Sequence, residues 1–298
     1  MGSQKNATLE ATRVEKLKLE KDFSRTYRDS ELFGQTDHYI YCGDASKMSK
    51  IKNETVDLVV TSPPYFNAKE YSQWAHINDY LDDMDKIFKE IFRKLKPGRK
   101  LCLNISDLPT KGDYGVFWQP LGSLLLVRLN KIGYELADRI FWFKTPLKGF
   151  QYGSLPFPPS PLINDSVEYV YILRKPGKSE YKYLDKQKKE ASKLLREEYM
   201  EYTKQIWSIR RVRLSQNIDG HIAPFPEELA KRCIMLYSFV GDVVLDPFGG
   251  SGTTTKVAAD LKRNSIMYEL NPDYVQITKQ RLDSSNTSMF TKPSFIYG

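Results

Sequence analysis

The sequence predicts a doubly wound α/β fold with a mostly parallel sheet, and three observations support this prediction. Short apolar runs typical of buried strands alternate with longer stretches whose apolar residues recur every three or four positions, as in amphipathic helices. Glycine- and proline-rich turns separate the two kinds of stretch. Hydrophobic residues make up 41% of the 298 residues, which is enough to fill the core of such a fold.

The individual elements follow from these patterns. Strands are predicted at 39–44, 56–60, 100–105, 139–143, 167–173, 243–246 and 265–269. Helices are predicted at 79–95, 119–131, 226–239 and 253–261. The helix at 79–95 is the clearest, because its apolar residues repeat at helical spacing and Pro97-Gly98 follows it. The stretch from Thr145 to Pro161 is too irregular for a packed element, and the tail after Ser284 is predicted to be weakly structured.

Charge and cysteine content limit the functional classes. The net charge of +8 and the pI near 9.1 favour a polyanionic partner such as nucleic acid. Cys42, Cys102 and Cys233 lie far apart, so the sequence predicts neither a disulfide framework nor a metal site. The N-terminus lacks the apolar core of a signal peptide, and no apolar run reaches the roughly 18 residues of a membrane span. We therefore expect a soluble, cytoplasmic protein without a membrane partner.

A glycine-rich turn between a strand and a helix predicts a nucleoside-binding site. The segment Asp246–Thr254 contains three glycines, which let the backbone approach a ligand closely. Glu269 ends the next strand, the position of a carboxylate that accepts hydrogen bonds from a ribose diol. No lysine follows Gly252, which argues against a P-loop, and Thr255 stands where a dinucleotide motif needs its third glycine. A mononucleoside cofactor fits better, and a turn used only for helix packing is the alternative.

A proline-stiffened segment predicts the chemistry. Thr61-Ser62-Pro63-Pro64-Tyr65 follows the strand at 56–60, so it is expected at the carboxyl edge of the sheet, where open α/β folds bind ligands. The Ser62 hydroxyl and the Pro63 carbonyl are two acceptors for the hydrogens of an exocyclic amine, and they would orient its lone pair toward a methyl donor. Tyr65 offers a ring face for stacking a base. The alternative is a rigid turn that only terminates the strand.

Together these segments resemble the amino-methyltransferases of DNA restriction-modification systems, in the permuted order of the beta class. The matching segments are Gly43-Asp44, Thr61–Tyr65, His221–Leu229, Asp246–Thr254 and Met267–Leu270. They resemble, in that order, the segment whose aspartate reaches the cofactor's adenine, the catalytic motif, the segment before the cofactor motif, the cofactor motif and the acidic-strand motif. The resemblance covers residues 39 to 280 approximately.

The resemblance implies a seven-stranded sheet and S-adenosylmethionine as the cofactor, with its methionine moiety near Phe248 and Phe225-Pro226. The implied catalytic residues are Ser62, Pro63, Pro64 and Tyr65. The implied cofactor-binding residues are Asp44, Thr61, Phe225, Pro226, Asp246, Phe248, Gly249, Gly250, Ser251, Gly252, Thr253 and Glu269. In this family, serine in the first catalytic position is typical of cytosine-N4 enzymes and aspartate of adenine-N6 enzymes, so Ser62 favours N4.

The resemblance also predicts how the chain is divided. The predicted segments are a charged arm at 1–30, a catalytic half at 31–173, a target-recognition insertion at 174–216, a cofactor-binding half at 217–283 and a tail at 284–298. From Arg174 to Arg213 basic residues are interleaved with tyrosines, which predicts an insertion outside the main sheet. Arg210, Arg211 and Arg213 are the predicted DNA contacts. A helix around 185–204 is expected there, and an ordinary solvated face is the alternative for its lysines.

The leading hypothesis is an enzyme that binds double-stranded DNA, flips one base and methylates its exocyclic amine, with cytosine N4 favoured over adenine N6. The expected partner is a cognate restriction endonuclease that acts on the same site without forming a stable complex, and a homodimer is left open. A catalytically inactive DNA-binding protein of the same fold is the alternative from a different class.

Overall fold

The computed structural model describes residues 35–66, 74–113, 115–145, 158, 163, 165–179, 181, 184–212, 226–284 and 293–298. The arm predicted at 1–30 lies outside the described residues, as do most of the stretch from Thr145 to Pro161, Arg213 and the segment 221–225.

The described residues form eleven strands and seven α-helices. The strands are β1 Asp37–Cys42, β2 Val56–Thr61, β3 Leu95–Ile105, β4 Leu108–Gly112, β5 Gly115–Gln119, β6 Glu135–Thr145, β7 Val167–Arg174, β8 Ile206–Arg210, β9 Val243–Asp246, β10 Asn264–Glu269 and β11 Ser294–Tyr297. The helices are α1 Ile77–Lys94, α2 Leu121–Ile132, α3 Lys186–Ala191, α4 Arg196–Tyr202, α5 Glu227–Tyr237, α6 Thr253–Asp260 and α7 Pro272–Ser284. None of these helices is both long enough and apolar enough to cross a membrane.

Nine strands form one sheet in the order β11-β1-β10-β9-β2-β3-β7-β6-β8, and β4 and β5 form a separate hairpin. Neighbours in the sheet pair in parallel except at β7, which is antiparallel to both β3 and β6. The predicted doubly wound, mostly parallel α/β fold is confirmed. The strand number is corrected from seven to nine within the described residues, because β11 and β8 each add a strand at one edge.

Helices cover both faces of the sheet because its central strands are apolar on both sides. All six residues of β2 are buried. Val59 belongs to a core cluster with Phe88 of α1, whereas Leu58 and Val60 belong to a second cluster with Leu229 of α5. Successive side chains of a strand point to opposite faces, so this division follows from the alternation along β2.

The prediction that residues from Arg174 onward lie outside the main sheet is wrong in part. Residues 206–210 form the edge strand β8, which runs parallel to β6. The alternation in β8 buries Trp207 and Ile209, and the Trp207 indole donates to the Tyr202 carbonyl at 3.1 Å. The single helix expected around 185–204 is two short helices, α3 and α4.

Helix α3 is anchored at the edge of the sheet where β2 and β9 begin. This is the edge opposite the one that carries the Thr61–Tyr65 segment. Lys188 pairs with Asp242 at 2.7 Å, and Asp242 also pairs with Arg99 at 3.1 Å. Arg99 in turn pairs with Asp57 at 2.9 Å. Arg99 and both aspartates are buried, so each of these charges needs its partners. The basic residues of α3 therefore lie away from the edge where a doubly wound fold binds its ligand.

The C-terminal residues are ordered where the structure describes them. Residues 294–297 form β11, which pairs in parallel with β1. The Cys42 amide donates to the Gly298 carbonyl at 3.1 Å. The expectation of a weakly structured tail is therefore corrected for 294–297, because pairing with β1 supplies hydrogen bonds that local sequence does not reveal.

Candidate functional site

The Thr61–Tyr65 segment and the glycine turn lie side by side at the carboxyl edge of the sheet. They follow β2 and β9, which are adjacent and parallel. The Thr61 hydroxyl donates to Asp246 Oδ1 at 2.7 Å in a buried contact. Two segments distant in the chain thus form one site at the edge where doubly wound folds bind ligands.

Backbone geometry explains the last glycine of the turn. Gly252 precedes α6 with a φ of +75°, a left-handed conformation that L side chains rarely adopt. A Cβ added there would lie 2.6 Å from Thr278 Cγ2 of α7. Helix α7 lies this close because the Thr278 hydroxyl donates to the Gly250 carbonyl at 2.8 Å. The turn is therefore held between β9 and α7.

Arg281 of α7 supports the same turn, and sequence analysis missed it. Its guanidinium donates to the Ser251 carbonyl, the Ser251 hydroxyl and the Thr253 hydroxyl, each at 3.1 Å. It also pairs with Glu227 of α5 at 2.6 Å. Basic residues are ordinary on a polar helix, so no sequence signal indicated this contact.

Glu269 closes the site at the end of β10. Its two carboxylate oxygens accept the amides of Gly250 and Asn271, each at 2.8 Å. Burial raises the pKa of the Glu269 carboxyl above its ordinary value. The Gly43 amide donates to the Glu269 carbonyl at 2.9 Å, which brings the end of β1 to the same edge. Asp44 follows there with an exposed carboxylate.

Asp246 is a buried residue that connects the Thr61–Tyr65 segment to the glycine turn. It is 2% exposed. Its carboxylate accepts the Thr61 and Thr254 hydroxyls, each at 2.7 Å, and the Phe248 amide at 3.1 Å. Burial raises the pKa of this carboxyl to about 6, in spite of the three donors. Asp246 therefore ties β2, the turn and α6 together.

This raised pKa predicts a pH dependence of stability. Because the folded pKa of Asp246 lies above its unfolded value, its contribution is present at low pH and is lost as pH rises through about 6. The free energy of unfolding of the wild type, relative to Asp246→Asn, is expected to increase by about 2 kcal/mol between pH 7 and pH 4.5. Urea denaturation of both proteins across this range measures the difference, in which the other titrating groups cancel. A difference that is flat with pH would contradict the assigned pKa.

The predicted catalytic residues lie at the end of β2, where Pro63 is buried and Ser62 and Tyr65 are half-buried. The Tyr65 hydroxyl donates to Glu168 Oε2 at 3.1 Å. The Asn104 side-chain amide donates to the same oxygen at 3.1 Å. Sequence analysis missed Glu168 and Asn104. Asn104 is a polar residue within the apolar strand β3, which is the one sequence signal for a functional side chain here. Its contact with Glu168 could not be predicted, because it depends on the pairing of β3 with β7.

The structure describes two of the three predicted DNA-contact arginines, and both lie at the carboxyl edge. Arg210 ends β8 opposite Thr145, the last residue of β6. The Arg211 amide donates to the Thr145 carbonyl at 3.1 Å. Strands β6 and β8 run in the same direction as β2, so their ends share its edge. Arg213 lies outside the described residues.

The structure describes two further predicted cofactor residues, Pro226 and Phe248. Pro226 immediately precedes α5. Phe248 is half-buried, and its ring centroid lies 6.5 Å from that of Phe88. Phe225 lies outside the described residues.

A family model described as DNA methylase matches residues 56–280, which include the Thr61–Tyr65 segment, the glycine turn and Glu269. The chain belongs to this DNA methylase family. Among curated relatives, Type II methyltransferase M.MjaI of Methanocaldococcus jannaschii is 34% identical over 280 residues, which cover 83% of this methylase and 91% of M.MjaI.

Solved structures agree with this assignment. TTHA0409 from Thermus thermophilus, complexed with S-adenosyl-L-methionine, is 33% identical with a TM-score of 0.72, covering 88% of this methylase and 98% of that chain. The cytosine-N4-specific PvuII DNA methyltransferase, at 24% identity and a TM-score of 0.61, shares the fold over 84% of this methylase and 89% of that chain. The methylase is an S-adenosylmethionine-dependent DNA amino-methyltransferase of the N4/N6 type, from the restriction-modification class.

The carboxyl edge fits S-adenosylmethionine, the cofactor of the methylase. A Cβ added at Gly43 or Gly250 would meet no atom within 4 Å, so the backbone at both positions is open to a ligand. The Glu269 carboxylate lies against Gly250 through a hydrogen bond of 2.8 Å. In the described ranges, no group of histidine, cysteine and acidic residues could hold a metal ion.

Proposed function

We propose that the methylase transfers the methyl group of S-adenosylmethionine to the exocyclic amine of a flipped base in double-stranded DNA, and that this amine is N4 of cytosine. The observation that carries the proposal is the 2.7 Å hydrogen bond between Thr61 and Asp246. It holds the segment from Ser62 to Tyr65 beside the glycine turn. The acceptors for an amine thus lie next to the residues proposed to hold the methyl donor.

Ser62 and Pro63 are the proposed acceptors. The lone pair of an exocyclic amine is delocalised into the base, which makes the nitrogen a poor nucleophile. Acceptors at both hydrogens favour a tetrahedral nitrogen whose lone pair points toward the methyl group. Pro63 and Pro64 each have a fixed φ, so the carbonyl direction is set before the base arrives. When bound, S-adenosylmethionine supplies the methyl group as an activated sulfonium, and the amine proton can leave to water.

The proposed cofactor contacts follow from the positions of the side chains. Glu269 is proposed to accept the ribose hydroxyls, because its carboxylate stands at the end of β10 beside the turn. Asp44 is proposed to reach the adenine, and Phe248 and Pro226 the methionine moiety. The backbone of the turn from Gly249 to Thr253 is proposed to form the floor beneath the cofactor.

Two features of the catalytic segment support the choice of cytosine N4 and of a flipped base. Ser62 stands in the position where serine is typical of cytosine-N4 enzymes of this family. Tyr65 supplies an aromatic ring whose hydroxyl is held by Glu168, which suits stacking of a base taken out of the duplex.

Nucleoside analysis tests the proposal. Wild-type protein is incubated with methyl-labelled S-adenosylmethionine and mixed-sequence duplex DNA, and the digested nucleosides are separated by mass spectrometry. The expected product is N4-methyldeoxycytidine. Labelled N6-methyldeoxyadenosine would overturn the choice of base, and label in neither nucleoside would overturn the proposed function.

Arg210 and Arg211 are proposed DNA contacts, because they lie at the same edge as the catalytic segment. Replacing both by alanine is expected to weaken DNA binding and to reduce the slope of log affinity against log salt by about 2, since each phosphate contact contributes about 0.9. Fluorescence anisotropy with labelled duplex over a salt series measures this slope.

Lys186→Ala with Lys189→Ala is the matched control, because it removes the same charge from α3 near the amino edge. This control pair is expected to retain the wild-type slope. If the salt slope falls more in the lysine double variant than in the arginine double variant, DNA binding would be assigned to the amino edge.

A restriction endonuclease is the proposed functional partner. M.MjaI and M.BslI, the latter from a Bacillus species, are both named Type II methyltransferases. We propose that the methylase modifies the site that a separate cognate nuclease cuts, without a stable complex between the two.

A further inference from the structure

The hairpin of β4 and β5 exposes apolar side chains outside the main sheet. The two strands form a sheet of their own. Val116, Phe117 and Trp118 follow one another along β5 and are 68%, 48% and 44% exposed. Neighbouring residues of a strand point to opposite sides, so both faces of the hairpin present apolar surface. Contiguous exposed apolar surface is typical of an interaction site.

The base of the hairpin is fixed at the carboxyl edge of the main sheet. The hairpin follows β3, whose Leu103 pairs with Thr61 at the end of β2. Asp107 immediately precedes β4, and its carboxylate holds both ends of the hairpin. One oxygen accepts the Gly122 amide at 3.0 Å, just beyond β5, and the other accepts the Tyr169 hydroxyl of β7 at 3.3 Å. The entry and the exit of the hairpin are therefore tied to β7.

Strand β7 also holds the catalytic segment. Glu168, the residue before Tyr169, accepts the Tyr65 hydroxyl at 3.1 Å. Two consecutive residues of β7 thus tie down the base of the hairpin and the Thr61–Tyr65 segment. A strand of five residues is about 17 Å long, so a duplex that places a base at Ser62 lies within reach of the hairpin.

Duplex DNA suits the exposed residues of the hairpin. A base that leaves the duplex opens a gap in the stack, and apolar side chains can insert between the base steps there. A two-stranded β-ribbon fits the major groove. Gly112 gives one aromatic ring its place near the turn of the hairpin, because a Cβ added to Gly112 would lie 3.1 Å from the ring of Phe117. The ring is thus held at the end of the hairpin that lies farthest from its base.

We propose that the β4–β5 hairpin inserts into duplex DNA beside the target base, and that Val116, Phe117 and Trp118 occupy the space that the flipped base leaves. The inference rests on the base flipping of the proposed function. It adds an apolar contact to the charged contacts proposed for Arg210 and Arg211.

A polar hairpin tests the proposal. The variant Val116→Thr/Phe117→Thr/Trp118→Thr removes the apolar surface, and threonine keeps the preference for β structure. The substrate is a short duplex that carries a site found by sequencing mixed-sequence DNA methylated by the wild type. The value of kcat/KM for this duplex is expected to fall about tenfold or more, as for the loss of one stacking contact.

Two further measurements on the triple threonine variant separate an apolar DNA contact from other effects. The affinity for S-adenosylmethionine, measured by calorimetry, is expected to equal that of the wild type, because the variant leaves the glycine turn intact. The slope of log DNA affinity against log salt is also expected to be unchanged, because no charge is removed. A reduced slope or a weaker affinity for the cofactor would overturn the proposed contact.

The matched control removes three apolar residues that are similarly exposed, in Leu136→Thr/Tyr199→Gln/Met200→Gln. These side chains are 44%, 55% and 61% exposed. Leu136 lies near the start of β6, and Tyr199 and Met200 lie in α4, which precedes the start of β8. The control is expected to keep the wild-type kcat/KM. An equal loss in the control and in the hairpin variant would overturn the proposal.

Fluorescence of the wild type tests the proposal even if the hairpin variant fails to fold. Acrylamide quenching is compared between the wild type and Trp118→Phe, so that the difference reports Trp118. Trp118 is expected to be quenched in the free protein and shielded when the duplex and a non-reactive analogue of S-adenosylmethionine are bound. Equal quenching of Trp118 with and without the duplex would overturn the proposed insertion.

The outcomes distinguish this inference from the proposed function. Wild-type kcat/KM in the triple threonine variant would overturn the insertion while DNA methylation by the wild type stands. A wild-type dimer that becomes a monomer in this variant, measured by sedimentation, would assign the apolar residues to a second copy of the chain and overturn the proposal. Absence of any methylated base with the wild type would overturn the proposed function itself.

Discussion

Ser62→Ala is expected to reduce kcat for methyl transfer by about 100-fold or more, a loss similar to that from removing one positioned polar group in other active sites. The alanine removes one of the two acceptors that orient the amine lone pair. The fold is expected to survive, because Ser62 is half-buried and follows the last residue of β2. Single-turnover transfer of labelled methyl to a duplex containing the site measures the rate.

Cofactor binding is the control for Ser62→Ala. The affinity for S-adenosylmethionine is expected to remain unchanged, because the contacts of the turn are made by Thr61, Thr254 and α7 rather than by Ser62. A wild-type rate of methylation by Ser62→Ala would remove the hydroxyl from the mechanism. A loss of rate that is fully explained by weaker cofactor binding would do the same.

Gly252→Ala is expected to weaken S-adenosylmethionine binding by at least about tenfold and to lower the stability of the fold. The alanine Cβ would meet Thr278 Cγ2 at 2.6 Å, and the backbone has a φ of +75°. Left-handed backbone costs an L residue about 1 to 2 kcal/mol, and the clash adds to this by pushing α7 away from the turn. Calorimetric titration with the cofactor and thermal unfolding measure the two effects.

Gly241→Ala is the matched control for the conformational cost alone. Gly241 has nearly the same φ, +77°, but an added Cβ there meets no atom within 4 Å. It precedes Asp242 at the amino edge, away from the site. The Gly241→Ala variant is expected to be destabilised by a similar amount, because its backbone is also left-handed. Its affinity for the cofactor is expected to equal that of the wild type. Equal cofactor affinity in the two variants would show that the contact between the turn and α7 does not shape the site.

Much of the fold could be predicted because its signals are local. The apolar run of β2, the helical spacing of α1 and the glycines after β9 each depend on neighbours within a few residues. These signals also located both halves of the candidate site. Parallel topology then placed the halves at one edge, because the ends of neighbouring parallel strands coincide.

The parts that could not be predicted depend on partners distant in the chain. Strand β8 lies within a basic segment, and its place in the sheet depends on pairing with β6. Strand β11 likewise depends on β1. Helix α3 has the composition of a DNA-binding helix, but Lys188 pairs with the buried Asp242 at the amino edge. Charge content alone does not indicate which edge of a sheet a helix will reach.

The same limit applies within the site. The contact of Tyr65 with Glu168 joins β7 to the catalytic segment, and Arg281 reaches the turn from the last long helix. Each residue type was visible in the sequence, but its partner was set by tertiary packing. Supporting residues of a site are therefore harder to predict than the motif residues, whose spacing is fixed along one short stretch.

A crystal structure with a non-reactive analogue of S-adenosylmethionine and duplex DNA tests whether the catalytic segment and the glycine turn bring the base amine and the methyl donor together. We expect a base outside the duplex, its amine nitrogen about 3 Å from both Ser62 Oγ and the Pro63 carbonyl. The reactive end of the analogue should face that nitrogen from the glycine turn. A base amine held by other residues, or an analogue whose reactive end points away from Ser62, would contradict the account.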